Sequence, residues 1–147
     1  MANPLVQQGT LNRLLTSLVV SSYPALNVTS SYMGSGFATL ELPAPFADLI
    51  PTATGGVTSD EPYVIGTITV DILRSQALSN AWLTQAQTES SIGQVTVYPD
   101  SKAFSESTLD NCVIKSIHPG VFNGKDPVVR VVIDGIFYLN ENLWNLA

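Results

Sequence analysis

The segment from Tyr63 to Tyr98 decides the fold class and reads YVIGTITVDILRSQALSNAWLTQAQTESSIGQVTVY. It opens with alternating, mostly β-branched residues, which predict a strand over residues 63–70 with Val64, Ile68 and Val70 on one face. No Gly or Pro interrupts the chain between Gly66 and Gly93, so we expect a helix over residues 71–88. Residues 95–98 then predict another strand. This strand–helix–strand unit contains the only convincing helix of the sequence.

The predicted helix carries apolar residues on two sides. At about 100° per residue, Leu78 and Trp82 fall on one broad half, and Ile72, Leu83 and Ala86 fall on the other. A helix on a monomeric domain needs only one apolar stripe. The second strip is therefore either a set of ordinary surface hydrophobes or the contact site of a partner.

Strand patterns continue on both sides of this unit. On the strand at 111–118, Cys112 and Ile114 share one face, and Val113, Lys115 and Ile117 share the other. A turn is expected at Gly34–Gly36. Short strands separated by turns predict a mainly β protein, an antiparallel β-sandwich or barrel with one flanking α-helix, as a single domain over residues 1–147. The other predicted strands cover residues 12–23, 27–33, 37–42 and 128–138, and the last has Val129, Val131, Ile133 and Phe137 on its core face.

A long connection at residues 43–62 reads PAPFADLIPTATGGVTSDEP. Connections of this length are uncommon in compact domains and are usually functional or disordered. Phe46, Leu49 and Ile50 argue against disorder. We expect a loop that either folds onto its own domain or extends to a neighbouring subunit. Residues 1–11 are interpreted as an N-terminal arm, and residues 139–147 as a C-terminal tail that contains Trp144.

The composition favours association and disfavours nucleic-acid binding. The chain has 147 residues, of which 45% are hydrophobic and 12% are charged, with a net charge of −6. That charged share is about half the usual one of about 25%, and a small protein with so little charge tends to associate. The six basic residues are scattered, so no basic stripe is available to neutralise phosphates.

Residue chemistry gives no reason to expect an enzyme. Cys112 and His118 share a predicted strand but would lie about 20 Å apart, whereas a catalytic hydrogen bond needs about 3 Å. One Cys and one His nearly exclude a zinc site. The Asp60–Glu61 pair is expected to be a solvated loop. We therefore predict no catalytic, cofactor-binding or metal-binding residues and no disulfide within the chain.

Targeting and membrane signals are also weak. Leu14–Val20 follows a single Arg and contains Thr16 and Ser17, which argues against the core of a signal peptide. No run approaches the roughly 18 apolar residues of a membrane helix. We therefore expect no membrane insertion of the monomer.

Four segments together resemble the tail tube proteins of contractile-tailed bacteriophages, which share a fold with the tubes of pyocin-like particles and of type VI secretion. The resemblance covers most of the chain in the order of its elements, although none of the segments is a catalytic signature. The segments are NPLVQQGTLNRL (Asn3–Leu14), GTITVDILRSQALSNAWLTQAQ (Gly66–Gln87), SIGQVTVYPDS (Ser91–Ser101) and VVIDGIFYLNENLW (Val131–Trp144).

The resemblance implies a structural virion protein of the phage tail, assembled in the host cytoplasm. Six subunits would form a ring, and stacked rings would form a tube with strands of each subunit joined into an inner barrel. The tail sheath protein, a baseplate initiator and a tail terminator would be partners, and viral DNA would pass through the lumen without specific binding. Candidate subunit contacts are Leu5, Phe46, Leu49, Ile50, Ile72, Leu83, Ala86 and Trp144, and candidate acidic lumen residues are Asp71 and Asp134.

Two other hypotheses stay open. A tail terminator or head–tail connector of similar size would assemble as a single ring and would not polymerise. A monomeric β-sandwich module that binds a sugar or peptide would need exposed aromatic residues grouped on one face. Trp82 and Trp144 lie in separate predicted elements, so the sequence gives the binding module little support.

Overall fold

A computed structural model describes residues 5–145, and 48% of these residues lie in strands. The described range contains nine strands, one α-helix and four short 3-10 helices. The strands are β1 (Ser17–Val20), β2 (Val28–Thr29), β3 (Met33–Glu41), β4 (Ala47–Pro51), β5 (Gly56–Asp60), β6 (Tyr63–Leu73), β7 (Ser91–Tyr98), β8 (Ser107–His118) and β9 (Val128–Tyr138), and the helix α1 is Ala77–Thr88. The 3-10 helices are Arg13–Leu15, Pro24–Leu26, Ser30–Tyr32 and Glu141–Trp144.

Seven strands form one antiparallel sheet in the order β2-β1-β7-β8-β9-β6-β3. The sheet curls until it is nearly closed, because residues from its two ends share a single core: Leu18 and Val28 from one end pack in the same cluster as Met33 and Ile72 from the other. The predicted fold class is therefore confirmed as a barrel-like or sandwich-like antiparallel sheet with one helix.

The alternation of β6 and β9 sets the core as the sequence predicts. Val64, Ile68 and Val70 are buried on β6, and their neighbours Tyr63 and Ile65 are exposed. On β9 Val129, Val131 and Ile133 of the predicted core face are buried, and Phe137 is partly buried against the same core. Each such side chain contributes about 1.5–3 kcal/mol when removed from water, so this pair of strands holds much of the core.

The helix begins later than predicted. Residues 71–73 continue β6, where Asp71 pairs with Arg130, Ile72 with Val129 and Leu73 with Val128. The prediction of a helix from residue 71 is wrong because β9 extends far enough to offer these residues a complete ladder. Helical bonding starts only at Ala77.

The inner face of α1 includes Leu78, Ala81, Trp82 and Ala86, with Trp82 fully buried. Ala86 follows Trp82 by four residues, and residues at that spacing share a helix face. Its predicted outward position is therefore wrong. Ile72 was placed on the outer side of this helix, but it is a fully buried strand residue. Leu83 does point outward and is exposed.

Gly34–Gly36 lies within β3 and is not a turn. The register of β3 against β6 shifts between Met33 and Ala38, where Phe37 has a φ of 51°. The glycines allow β3 to approach its neighbours, because a Cβ on Gly34 would lie 2.5 Å from a methyl group of Val128. The predicted strands at 12–23 and 27–33 are also shorter than expected, since 3-10 helices take up part of each.

A second register shift changes which side chains of β8 face the core. The register of β8 against β9 shifts between Ile114 and Ser116. Beyond this shift Ile117 packs against the core, although the sequence pattern places it opposite Ile114. An extra residue in one strand reverses which side chains face inward.

The connection at residues 43–62 is a β-hairpin rather than an unstructured loop. Strands β4 and β5 pair from Ala47 with Asp60 to Pro51 with Gly56 and form a two-stranded sheet of their own. In the described part of the chain, neither strand pairs with the seven-stranded sheet.

Candidate interaction surfaces

The β4–β5 hairpin exposes apolar side chains on both of its faces. Leu49 stands opposite Thr58 on one face, and Ile50 stands opposite Val57 on the other. Leu49 is 70% exposed, Ile50 51% and Val57 55%. These values mean that the subunit itself covers neither face of the hairpin. Two predicted contact residues, Leu49 and Ile50, thus lie at exposed positions on one element.

The base of the hairpin brings Phe46 and Trp144 into one neighbourhood, although about a hundred residues separate them in sequence. The Trp144 Nε1 donates a hydrogen bond to the carbonyl of Pro62 at 3.3 Å. The carbonyl of Phe46 accepts one from Asn140 Nδ2 at 3.2 Å. Phe46 and Trp144 are both exposed, so they add apolar surface where the hairpin joins the body.

An aromatic group on the outer face of the sheet escapes the sequence patterns. Tyr63 pairs with Tyr138 across β6 and β9, and the ring of Trp144 meets Tyr138 edge-on with centroids 5.5 Å apart. Ile65 lies further along the same exposed face of β6. The alternation of β6 and β9 shows that both tyrosines point outward. Only the register of β6 against β9 and the position of Trp144 show that these aromatic side chains lie together.

The two candidate lumen residues share the outer face of the sheet, and each is in an ion pair. Asp71 Oδ1 accepts a hydrogen bond from Arg130 Nε at 3.1 Å, which raises the pKa of Arg130. Asp134 lies 3.8 Å from Lys115 Nζ and accepts a hydrogen bond from Thr67 Oγ1 at 3.0 Å. Their charges are therefore partly neutralised within the subunit.

The N-terminal arm is described from Leu5 onward, and residues 1–4 lie outside the described range, as do residues 146 and 147 of the C-terminal tail. Residues 5–11 carry no helix or strand, and Leu5, Val6 and Leu11 are exposed. The side chain of the candidate contact residue Leu5 is thus exposed to solvent. Leu83, another candidate contact residue, is exposed on the outer side of α1.

A further exposed apolar site, which the sequence patterns do not reveal, lies in the loop at residues 119–127. Arg74, which directly follows β6, donates hydrogen bonds to the carbonyls of Pro119, Val121 and Asp126 and so anchors the loop. Its guanidinium also lies 4.9 Å from the ring centroid of Phe122. The loop presents Val121 and Phe122 to solvent. The Pro119–Gly120 and Asn123–Gly124 pairs on either side are its only sequence signal.

A cleft of about 280 Å³ lies beside the edge of β3. Its walls come from the edge of β3, the end of β7 and the following loop, with Phe37, Leu40, Tyr98 and Phe104 among them. Sites for drug-sized ligands usually have about 300–1,000 Å³. The cleft is thus small for an organic ligand.

Cys112 and His118 bond different partners in the structure. Cys112 is buried, donates to the Leu109 carbonyl, and has its pKa raised to about 11 by burial. His118 is exposed and lies beside Ser116. Among residues 5–145, no group of three or more His, Cys, Asp or Glu is placed to hold a metal ion. The single α-helix described is too short and too polar to cross a membrane.

No protein-family model matches the chain, and a search of curated proteins found no similar sequence.

Proposed function

We propose that this protein is a structural subunit that assembles with copies of itself into stacked, hexameric rings and forms the inner tail tube of a contractile-tailed phage. The observation that carries the self-assembly is the β4–β5 hairpin, which extends from the sheet with both faces uncovered. The resemblance of the four segments quoted above supports the tail tube as the assembly.

The physical argument starts from the instability of an isolated hairpin. A two-stranded hairpin alone is marginally stable in water, and this one exposes Leu49, Ile50 and Val57. A neighbouring subunit would remove this apolar surface from water at about 25 cal/mol per Å². We therefore infer that the hairpin contacts a neighbouring subunit.

The sheet offers a second site for assembly. β3 and β2 form its two edges, and in the described chain each pairs on one side only. An exposed edge invites pairing with another chain. Joining the sheets of neighbouring subunits around a ring would cover the edge of β3.

In this assembly the outer face of β6 and β9 is our candidate for the lumen wall. Asp134 lies there beside Lys115, and Asp71, although almost fully buried, pairs there with the exposed Arg130. A wall with few free positive charges would let DNA pass without binding, since phosphate neutralisation dominates non-specific affinity. The tail sheath protein, the baseplate initiator and the tail terminator would be the remaining partners.

The test is negative-stain electron microscopy of the purified chain, with light scattering on the same sample. We expect hollow filaments or stacked rings. Closed rings that never stack would favour a tail terminator or head–tail connector. A monomer that stays monodisperse at high concentration, even with a nucleating baseplate fraction, would contradict the proposal. That result would favour a monomeric β-sandwich binding module.

A further inference from the structure

The hairpin leaves the body of the protein through two legs, and one side chain bridges them. Asn140 Nδ2 donates to the carbonyl of Phe46, just before β4, at 3.2 Å, and to the carbonyl of Glu61, just after β5, at 2.7 Å. A primary amide has two donor hydrogens, so a single nitrogen can hold both legs. The legs also bond each other, from the Glu61 N–H to the Phe46 carbonyl at 3.0 Å.

The rest of the segment Leu139–Asn145, here called the C-terminal segment, attaches to the same place. The Pro62 carbonyl accepts hydrogen bonds from the Leu139 N–H at 3.1 Å and from Trp144 Nε1 at 3.3 Å. The Trp144 ring packs edge-on against Tyr138 of β9. The C-terminal segment therefore connects the hairpin legs to the main sheet.

The backbone of Asn140 is adapted to this position. Its φ is 48° and its ψ is 59°, in the left-handed region. Asn and Asp enter this region more readily than most other residues with a side chain. The turn directs the chain from β9 into the 3-10 helix Glu141–Trp144 and places the amide between the two legs.

We propose that the C-terminal segment is a clamp that fixes the orientation of the β4–β5 hairpin, with Asn140 as its positioning residue. The clamp matters because, apart from their pairing with each other, β4 and β5 make no substantial contact with another described helix or strand. The hydrogen bonds of the C-terminal segment to the two legs would therefore limit the movement of the hairpin. The importance of this orientation for assembly rests on the proposed function, whereas the clamp itself does not.

The experiment compares Asn140→Asp with Asn142→Asp. Both changes remove an amide and add one negative charge, and the two positions lie two residues apart in the same segment. Of the two side chains, that of Asn140 donates hydrogen bonds to the hairpin legs. Asn140→Gly is the second variant, because Gly keeps the left-handed backbone and removes the donors without adding charge. Hydrogen exchange is measured on the monomeric fraction, and the critical concentration for assembly by light scattering.

We expect Asn140→Asp and Asn140→Gly to speed exchange of the β4–β5 amides about tenfold, the order expected when hydrogen bonds of this kind are lost. Exchange in β6 and β9 and the melting temperature should not change, and the critical concentration should rise severalfold. Asn142→Asp should behave as the wild type.

Three outcomes would overturn the clamp: unchanged hairpin exchange in Asn140→Gly, the same effect in Asn142→Asp, or exchange that rises equally across the seven-stranded sheet. Faster hairpin exchange with an unchanged critical concentration would overturn the positioning role. A wild-type chain that never assembles would count against the proposed function, and the exchange data would still decide the clamp.

Discussion

The contact between Gly36 and Asp71 shows how the absence of a side chain at one residue permits a local arrangement. The carboxylate of Asp71 is almost fully buried on the outer face of β6 and bonds Arg130. Gly36 of β3 lies directly against it, and a Cβ at this position would overlap the carboxylate. The glycine is therefore needed for close approach of the neighbouring strand.

We predict that Gly36→Ala destabilises the fold. The new methyl group would displace Asp71 and break its bond to Arg130, at a cost of about 1–3 kcal/mol in the free energy of unfolding. Gly55→Ala is the matched control, because nothing lies within 4 Å of a Cβ there. Urea unfolding measures both variants. Equal stability of the two would show that Asp71 moves aside without cost.

Asp126 organises the loop at residues 119–127 and gives it a pH dependence. Its carboxylate accepts hydrogen bonds from the backbone N–H groups of Val128 and Val121. These bonds lower the pKa of Asp126 from the ordinary value of an Asp carboxyl. A lowered pKa means that the carboxylate stabilises the loop above the pKa of the unfolded chain, and this contribution is lost as pH falls through the folded pKa.

We expect the amide signals of Val121 and Val128 to shift together in an NMR titration, with a midpoint below the ordinary pKa of an Asp carboxyl. Asp126→Asn should remove that shared transition, since the amide cannot ionise. Titration of the two signals at or above the ordinary Asp pKa, or at different midpoints, would contradict the assignment.

At the scale of elements, the hairpin is separate from the main fold. The Glu61 N–H bonds the Phe46 carbonyl, so the two legs are already adjacent at the base. A short turn can therefore join them without moving β6. The seven-stranded sheet and its core lie outside the removed segment.

We predict that replacing residues 47–60 with a two-residue Asn–Gly turn leaves a folded subunit and abolishes assembly. Circular dichroism and the melting temperature should stay close to those of the wild type, while filaments disappear from electron micrographs. Leu14→Ser is the control, because it removes an exposed hydrophobic residue outside the candidate contact surfaces. Normal filaments from the deletion variant would rule out the hairpin as a contact element.

The helix α1 provides an internal comparison between neighbouring residues. Trp82 is fully buried, whereas Leu83 is exposed. We expect Trp82→Ala to reduce the free energy of unfolding by about 3–5 kcal/mol. Leu83→Ala should change it by less than about 0.5 kcal/mol. Chemical denaturation measures both, and a large loss at Leu83 in the monomer would show that the helix is oriented differently.

At the scale of the whole molecule, the net charge opposes the assembly that we propose. Each subunit carries a net charge of −6, so copies brought together repel one another, and salt screens such repulsion over about 10 Å at 0.1 M. The apolar surface of the hairpin is little affected by moderate salt. Assembly should therefore depend on ionic strength in a defined direction.

We predict that the critical concentration for assembly falls as NaCl rises from about 0.02 to 0.5 M, as the Debye length shortens. Light scattering over a dilution series measures this, with sucrose at matched osmolality as the control for exclusion effects. A critical concentration that rises with salt would mean that ion pairs between subunits hold the assembly.

The sequence determined the fold class and the buried faces of β6 and β9. Val64, Ile68, Val131 and Ile133 face inward as their alternation predicts, because a side-chain period of two is a local property of any strand. The low share of charged residues and the wide separation expected between Cys112 and His118 can likewise be read from the sequence.

Only the tertiary structure decided where elements end and what they contact. Ile72 is a strand residue because β9 provides its partner, and Ile117 faces the core because of a bulge. The contacts of Asn140 with both hairpin legs join residues far apart in the chain. The pairing of β4 with β5 depends on a register that the sequence pattern did not reveal. These features depend on which strand lies beside which, and local residue preferences do not encode that register.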